Sequence, residues 1–493
     1  MDPKIKDLRG TSRRRFLRLM AVAAAGYGVG RSDLLGHLAD LGGSALADDG
    51  SCATTNRSVH IVSGGGNFAW WQLLWPLVDV AKGAQANPQF AYHGFDPNAN
   101  DPNAGPGFEH LVAGRPFYYG PEAPWVDLAA QAPSSGRAMT AFMAGVTKTH
   151  DRQPLLQTAV IDGDHTSGTS LLAAVASIQH ETASLLPVIG VAPFSYGVAP
   201  GAPAPAVVPS AAAMLDLFNS AASRAVLLAQ EDKDRFETYY KAVLSLRTSA
   251  TRPTWTRQLD VMKVAANVVG RNLADKLTPT QLELDTFGIT ELLANIDLSA
   301  GAKERLQNFG MALLITKKAM AEGLTSSVIL GLPPAEGGAD GFTDPHAAFT
   351  DMKSLRATLR FMGLFLQSFY AELATAPDPA CTAKTLAERV ILTVHGDQPH
   401  TPLDRNTWPD STPGDTNWMY VMGNGYLQPG WFGRGKTDNS LDGWDPTTGG
   451  IMPHDELGAC HAASAAVLYA VAAGDMTKVS PFYKGPAITG VIA

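Results

Sequence analysis

Short runs of apolar and β-branched residues, separated by stretches of helical spacing, most constrain the fold of this chain. The clearest are Ser58-Val59-His60-Ile61-Val62, Leu156-Gln157-Thr158-Ala159-Val160-Ile161, Ser326-Ser327-Val328-Ile329-Leu330 and Arg389-Val390-Ile391-Leu392-Thr393-Val394, with a shorter run Val188-Ile189-Gly190-Val191. Their length and residue types read as strands. Between and after them, Leu171 to Leu186 and Leu355 to Leu373 carry apolar residues at helical spacing. Strands alternating with helices predict an α/β fold, a mainly parallel, doubly wound sheet covered on both faces. In such sheets ligands gather outside the carboxyl ends of the strands.

From about Ala211 to Gly323 helical spacing dominates and strand signals are scarce, which predicts a helical insertion or layer. Residues 86–137 read as an irregular surface excursion and 197–209, dense in Pro, Ala and Gly, as a linker. No repeat, heptad, Walker or Rossmann signature is present. The Gly64-Gly65-Gly66 run alone is weak evidence for a phosphate cradle.

The amino end has a character of its own. Ser12-Arg13-Arg14-Arg15-Phe16-Leu17-Arg18 precedes an alanine-rich apolar run to Gly30, and Ala45-Leu46-Ala47 supplies small residues for a signal peptidase. The run is about a dozen residues, short of the roughly 20 that span a bilayer, so no transmembrane anchor is expected. The pattern predicts a twin-arginine signal over residues 1–47, a route that carries folded cargo to the periplasm or beyond. Residues 48–493 then form the mature chain. At 45% hydrophobic residues it can bury a large core. A net charge of −8 with no basic run after the signal argues against nucleic acid or an anionic membrane as partner. Three cysteines, Cys52, Cys381 and Cys460, permit one disulfide, and the pairing is open.

Histidines and aspartates cluster after the strand runs. Asp162, Asp164 and His165 follow the run ending at Ile161; Asp344 and His346 follow Leu330; His395, Asp397 and His400 follow Val394; His454, Asp455 and His461 lie near the carboxyl end. For any one of these residues a polar loop or capping role is the commoner explanation. Recurrence at successive strand ends is what suggests convergence on one edge. Imidazole and carboxylate together suit zinc, manganese or iron, and paired metals serve displacements at phosphorus or sulfur. Thr166 and Ser167 stand where the helix at Leu171 is expected to begin. One of them is either a nucleophile at the positive helix end or the helix N-cap. The tryptophan groups Trp70, Trp71, Trp75 and Trp408, Trp418, Trp431, Trp444 read as core and as ordered surface or pocket wall.

The twin-arginine leader, the Gly-Gly-Gly loop after the first strand, Thr343-Asp344-Pro345-His346, and the strand leading to His400-Thr401-Pro402 together resemble a bacterial family of unknown function in the alkaline-phosphatase-like, or sulfatase-like, superfamily. The likeness runs in order over most of residues 48–493, with close matches at the Asp-x-His and Thr-Pro pieces. It implies an alkaline-phosphatase-like fold and a metal-dependent hydrolase of phosphate or sulfate esters. Its divalent metal, zinc for example, would be held by Asp344 and His346, with His165, His395, Asp397 and His461 as further ligands from chain order. Thr166 or Ser167 is then the candidate nucleophile and His400 an assisting group. The chain departs from the family where Asn67 follows the glycines in place of Ser and Asp, and where Asn417 replaces a histidine. These departures favour the alternative of a catalytically silent envelope binding or assembly protein. The expected partner is a small-molecule ester or an exported protein.

Overall fold

The computed structural model describes residues 52, 54–63, 110–112, 115–117, 138–144, 159–164, 167–180, 184, 186–218, 276–332, 352–396, 418–423, 425–435 and 440–493. The signal-peptide reading of residues 1–47 lies outside them. The chain divides into two units. One comprises Met1–Ala47 and Leu215–Thr278, little of which is described, and the other Asp48–Met214 and Pro279–Ala493. The account below concerns the second.

Its centre is an eight-stranded sheet. In chain order the strands are β1 (Arg57–Ser63), β2 (Ala138–Met143), β3 (Leu186–Val191), β4 (Ala206–Val208), β5 (Thr325–Leu332), β6 (Val390–Gly396), β7 (Trp418–Gly423) and β8 (Gly430–Phe432). Across the sheet they run β8-β2-β7-β6-β1-β5-β3-β4. Only β7 is reversed, pairing antiparallel with β6 and β2. The remaining pairings are parallel. The α/β character and the mainly parallel sheet are therefore present.

The central strands form because they can be buried on both faces: every residue of β5 and β6 is buried. Two helices, α1 (Leu171–Gln179) and α4 (Glu456–Val471), pack against one another, and α1 seals Val62, Val188 and Ile329 with Leu172 and Ala176. Two more, α2 (Ala300–Ala321) and α3 (Met352–Thr375), also pack together, α2 lying against β5. Their local signals are plain. Ser299 caps α2 by accepting from Ala302 N, and Asp455 caps α4 by accepting from Gly458 N. Past α2, Gly323 takes φ 72°, and Leu324 N returns to Ala319 O at 2.9 Å, so β5 can begin at Thr325. Among the described residues no helix is long and apolar enough to cross a membrane.

Two expectations need correction. The run ending at Ile161 is not a strand of the main sheet: Val160–Asp162 pairs antiparallel with Thr169–Ser170 in a small hairpin. The 197–209 segment is more than a linker, because Ala206–Val208 adds β4 to the sheet beside β3. Within 211–323 the described elements are helical up to β5: Ala211–Asp216, Gln281–Thr286, Ile289–Ala294 and α2.

One corner of the sheet is tied by charge and by sulfur. Arg57, opening β1, donates from Nε and Nη2 to Asp378 Oδ1 at 3.0 and 2.8 Å, and from Nη1 to Thr325 O at 2.7 Å. Arg389 reaches Asp378 Oδ2 at 3.4 Å and Thr55 O at 2.7 Å. Burial works against the Asp378 charge, but the Arg57 guanidinium, the Ala380 amide and Arg389 outweigh it and hold the carboxyl below its ordinary range. Beside them Cys52 and Cys381 form a disulfide with Cα atoms 4.5 Å apart, and the buried Cys460 stands outside the bridge.

Candidate active site at the carboxyl edge of the sheet

Parallel register places three strand ends side by side. Ser63, the last residue of β1, pairs with Gly396 of β6 and with Leu332 of β5, so all three strands finish at one level. The helices run the opposite way. Gln179, at the end of α1, donates to Asn56 O at 2.7 Å and Ser58 Oγ at 3.2 Å, at the start of β1. Val471 and Ala470, at the end of α4, accept from Asn56 N and Nδ2, both at 2.7 Å. The amino ends of α1 and α4 therefore lie toward the carboxyl edge of the strands, where their aligned peptide dipoles favour negative charge.

The Val160–Ser170 hairpin meets both helices. Leu171 N donates to Ala159 O at 2.6 Å, the Cys460 thiol approaches Val160 O at 3.6 Å, and His461 Nε2 lies 2.8 Å from Gly163 O. A carbonyl can only accept, so this contact places a proton on His461 Nε2 and leaves Nδ1 as the ring nitrogen open to a ligand. Metal-ligating histidines are commonly oriented in this way, by a backbone carbonyl on the far nitrogen.

Ser167 is exposed in the hairpin turn, its amide donating to Asp164 O at 3.2 Å. This corrects its expected place. The helix begins at Leu171, as expected, and the N-cap position falls to Ser170, whose hydroxyl donates to Tyr196 O at 2.8 Å. Ser167 is thus neither a cap nor a residue of the helix end.

His395 sits one residue before the end of β6 and is wholly buried. His60 on β1 is equally buried, its Nδ1 2.7 Å from Thr393 Oγ1, while its Nε2 has no hydrogen-bond partner. Register puts His60, Val62, Thr393 and His395 on one face of adjacent strands. Burial pushes both imidazoles down to about 3, and for His60 the neighbouring His395 adds to the effect, so both are neutral at ordinary pH. His454, just before the α4 cap, is lowered by burial against the opposing pull of Asp455.

His165, Thr166, Asp344, His346, Asp397 and His400 lie outside the described residues. Among the described residues no group of three His, Cys, Asp or Glu is arranged to hold a metal. The structure brings His461 to the hairpin and His395 beneath the strand ends. Sequence reasoning did not single out His60, although an imidazole inside an apolar strand run is a visible signal. No family model, curated protein or solved structure matches the chain.

Proposed function

We propose that the chain is an exported, metal-dependent hydrolase of phosphate or sulfate esters, with its reacting groups at the carboxyl edge of β5-β1-β6. The level strand ends, faced by the amino ends of two helices, carry this reading, because they form the place where a mainly parallel sheet binds ligands. The chain continues from β5 toward Asp344 and His346, and from β6 directly into Asp397 and His400. With His461, His395 and His165 these supply the nitrogen and oxygen donors that a divalent metal such as zinc takes. His461 fits the role, its ring fixed by Gly163 O with Nδ1 open to a ligand. A bound metal would neutralise charge on the ester oxygens.

The chain's own contributions are distinct. The two helix amino ends favour an anionic group, Thr166 or Ser167 offers a hydroxyl, and His400 moves a proton. Export is supported by the twin-arginine pattern and by the Cys52–Cys381 bridge, since disulfides persist in oxidising compartments. Metal analysis of the purified protein, with a screen of aryl phosphates and aryl sulfates, tests the proposal. Bound metal and turnover, both lost in Asp344→Ala plus His346→Ala, are expected. Neither metal nor turnover in the intact protein would remove it.

The loop after the glycines, Asn67-Phe68-Ala69-Trp70 without the resembled family's Ser and Asp, and Asn417 where that family carries His, favour a second reading: a silent relative that binds another exported protein. A stoichiometric partner retained by the Asp344→Ala, His346→Ala variant would select that reading.

A further inference from the structure

The corner at the amino ends of β1 and β6 is held twice, by a bridge and by contacts that do not need it. Residues 54–57 are fixed by Lys478 Nζ on Thr54 O and Oγ1 at 3.2 and 2.8 Å, by Arg389 on Thr55 O, and by Gln179 on Asn56 O. Asn56 binds the end of α4. Asp378 is clasped by Arg57 and Arg389 and accepts from Ala380 N at 3.0 Å, directly before Cys381. Both cysteines are thus delivered to one place by hydrogen bonds and ion pairs. They differ in access: Cys52 is exposed, while Cys381 is buried.

We propose that the Cys52–Cys381 bridge is a lock closed after the chain has folded, by thiol–disulfide exchange that begins at Cys52. The Cys52 thiolate attacks a small or protein disulfide oxidant, RSSR, forming Cys52–S–S–R and releasing one RS⁻. The Cys381 thiol loses its proton, attacks the Cys52 sulfur and expels the second RS⁻. Two protein thiols give up two electrons and two protons, and RSSR becomes two RSH. A cargo exported folded meets its oxidant only after translocation, so the fold has to form in the reducing cytoplasm without the bridge. That timing rests on the export reading; the order of folding and closure does not.

The test uses the full chain, purified with reductant and then kept from oxygen. The reduced protein is expected to keep the near-ultraviolet circular dichroism and protease resistance of the oxidised one, with Tm lower by roughly 5 °C. With oxidised glutathione, Cys381→Ser should accumulate one glutathione on Cys52, whereas Cys52→Ser accumulates none on Cys381 over the same period. An unfolded reduced chain, or glutathione added equally fast at Cys381, overturns the lock. In cells, Arg13→Lys with Arg14→Lys should leave a retained, folded chain with three free thiols against one in the exported form. A retained chain already bridged overturns the timing. Undiminished export of that variant would count against the twin-arginine reading alone, since the glutathione experiments decide the lock separately.

Discussion

Asp378 is almost wholly buried between two guanidinium groups, and its removal differs from the loss of a surface ion pair. Asp378→Asn would leave Arg57 and Arg389 charged and buried without a counter-ion. The expected cost is about 3–5 kcal/mol, read as a lower urea midpoint. Since the folded carboxyl titrates below its ordinary value near 3.8, its contribution is complete above that pH and is lost as pH falls through the folded value. His60 acts over a higher range. Its folded value of about 3 lies under the ordinary 6.5, so above 6.5 neither state takes the proton, and between 6.5 and 3 only the unfolded chain does. Stability should fall with pH across that window, by about 2 kcal/mol at pH 5 from this residue. In His60→Gln the slope of unfolding free energy against pH should flatten between 6.5 and 3; an unchanged slope would show that His60 is already protonated in the folded protein.

The elements separate into those that the sequence announces and those that pairing creates. The β1, β5 and β6 runs were legible nearly to the residue: β5 and β6 hold continuous apolar stretches, as strands buried on both faces do, and β1 holds Val59, Ile61 and Val62 around Ser58 and His60. The strands β2, β4, β7 and β8 were not. Ala138-Met-Thr-Ala-Phe-Met143 contains one β-branched residue, and β4 and β8 are three residues each, so their neighbours in the sheet decide their state. Helix α1 stops at Gln179, short of the expected Leu186, because Leu186 is already the first residue of β3. Element context also fixes what a methyl group does. A Cβ on Gly331 in β5 would fall on the Pro193 carbonyl oxygen, a backbone atom that cannot swing aside. Gly331→Ala should therefore cost about 1–3 kcal/mol. On exposed Gly301, in the first turn of α2, a Cβ meets only Arg305 Nη1 at 3.5 Å, and Gly301→Ala should gain about 0.5 kcal/mol. Chemical denaturation of the two variants, expected to move in opposite directions, checks both.

At the scale of the whole sheet, the two ends of the strands have different work. The amino end gathers the Arg57–Asp378–Arg389 cluster, the disulfide and the ends of α1 and α4; the carboxyl end gathers helix amino ends, the hairpin turn and His461. The sequence indicated the proposed edge through strand order and through His395 and His400, at and after the end of β6. It could not indicate the cluster, since Arg57 and Asp378 stand 321 residues apart and only the fold brings them together. The division predicts that substitutions sort by end. Arg57→Ala strips Asp378 of its principal partner in a buried setting, and it should lose several kcal/mol of stability. His461→Ala removes one hydrogen bond from a partly exposed ring, a loss of about 1 kcal/mol. If the carboxyl edge holds the metal, that same variant should lower metal content and ester turnover far more than its small stability change explains. Parallel measurement of Tm, bound metal and turnover on the two variants decides the matter. A His461→Ala protein with full metal and full turnover would take this histidine out of the site, and losses in Arg57→Ala confined to stability would keep the amino end structural.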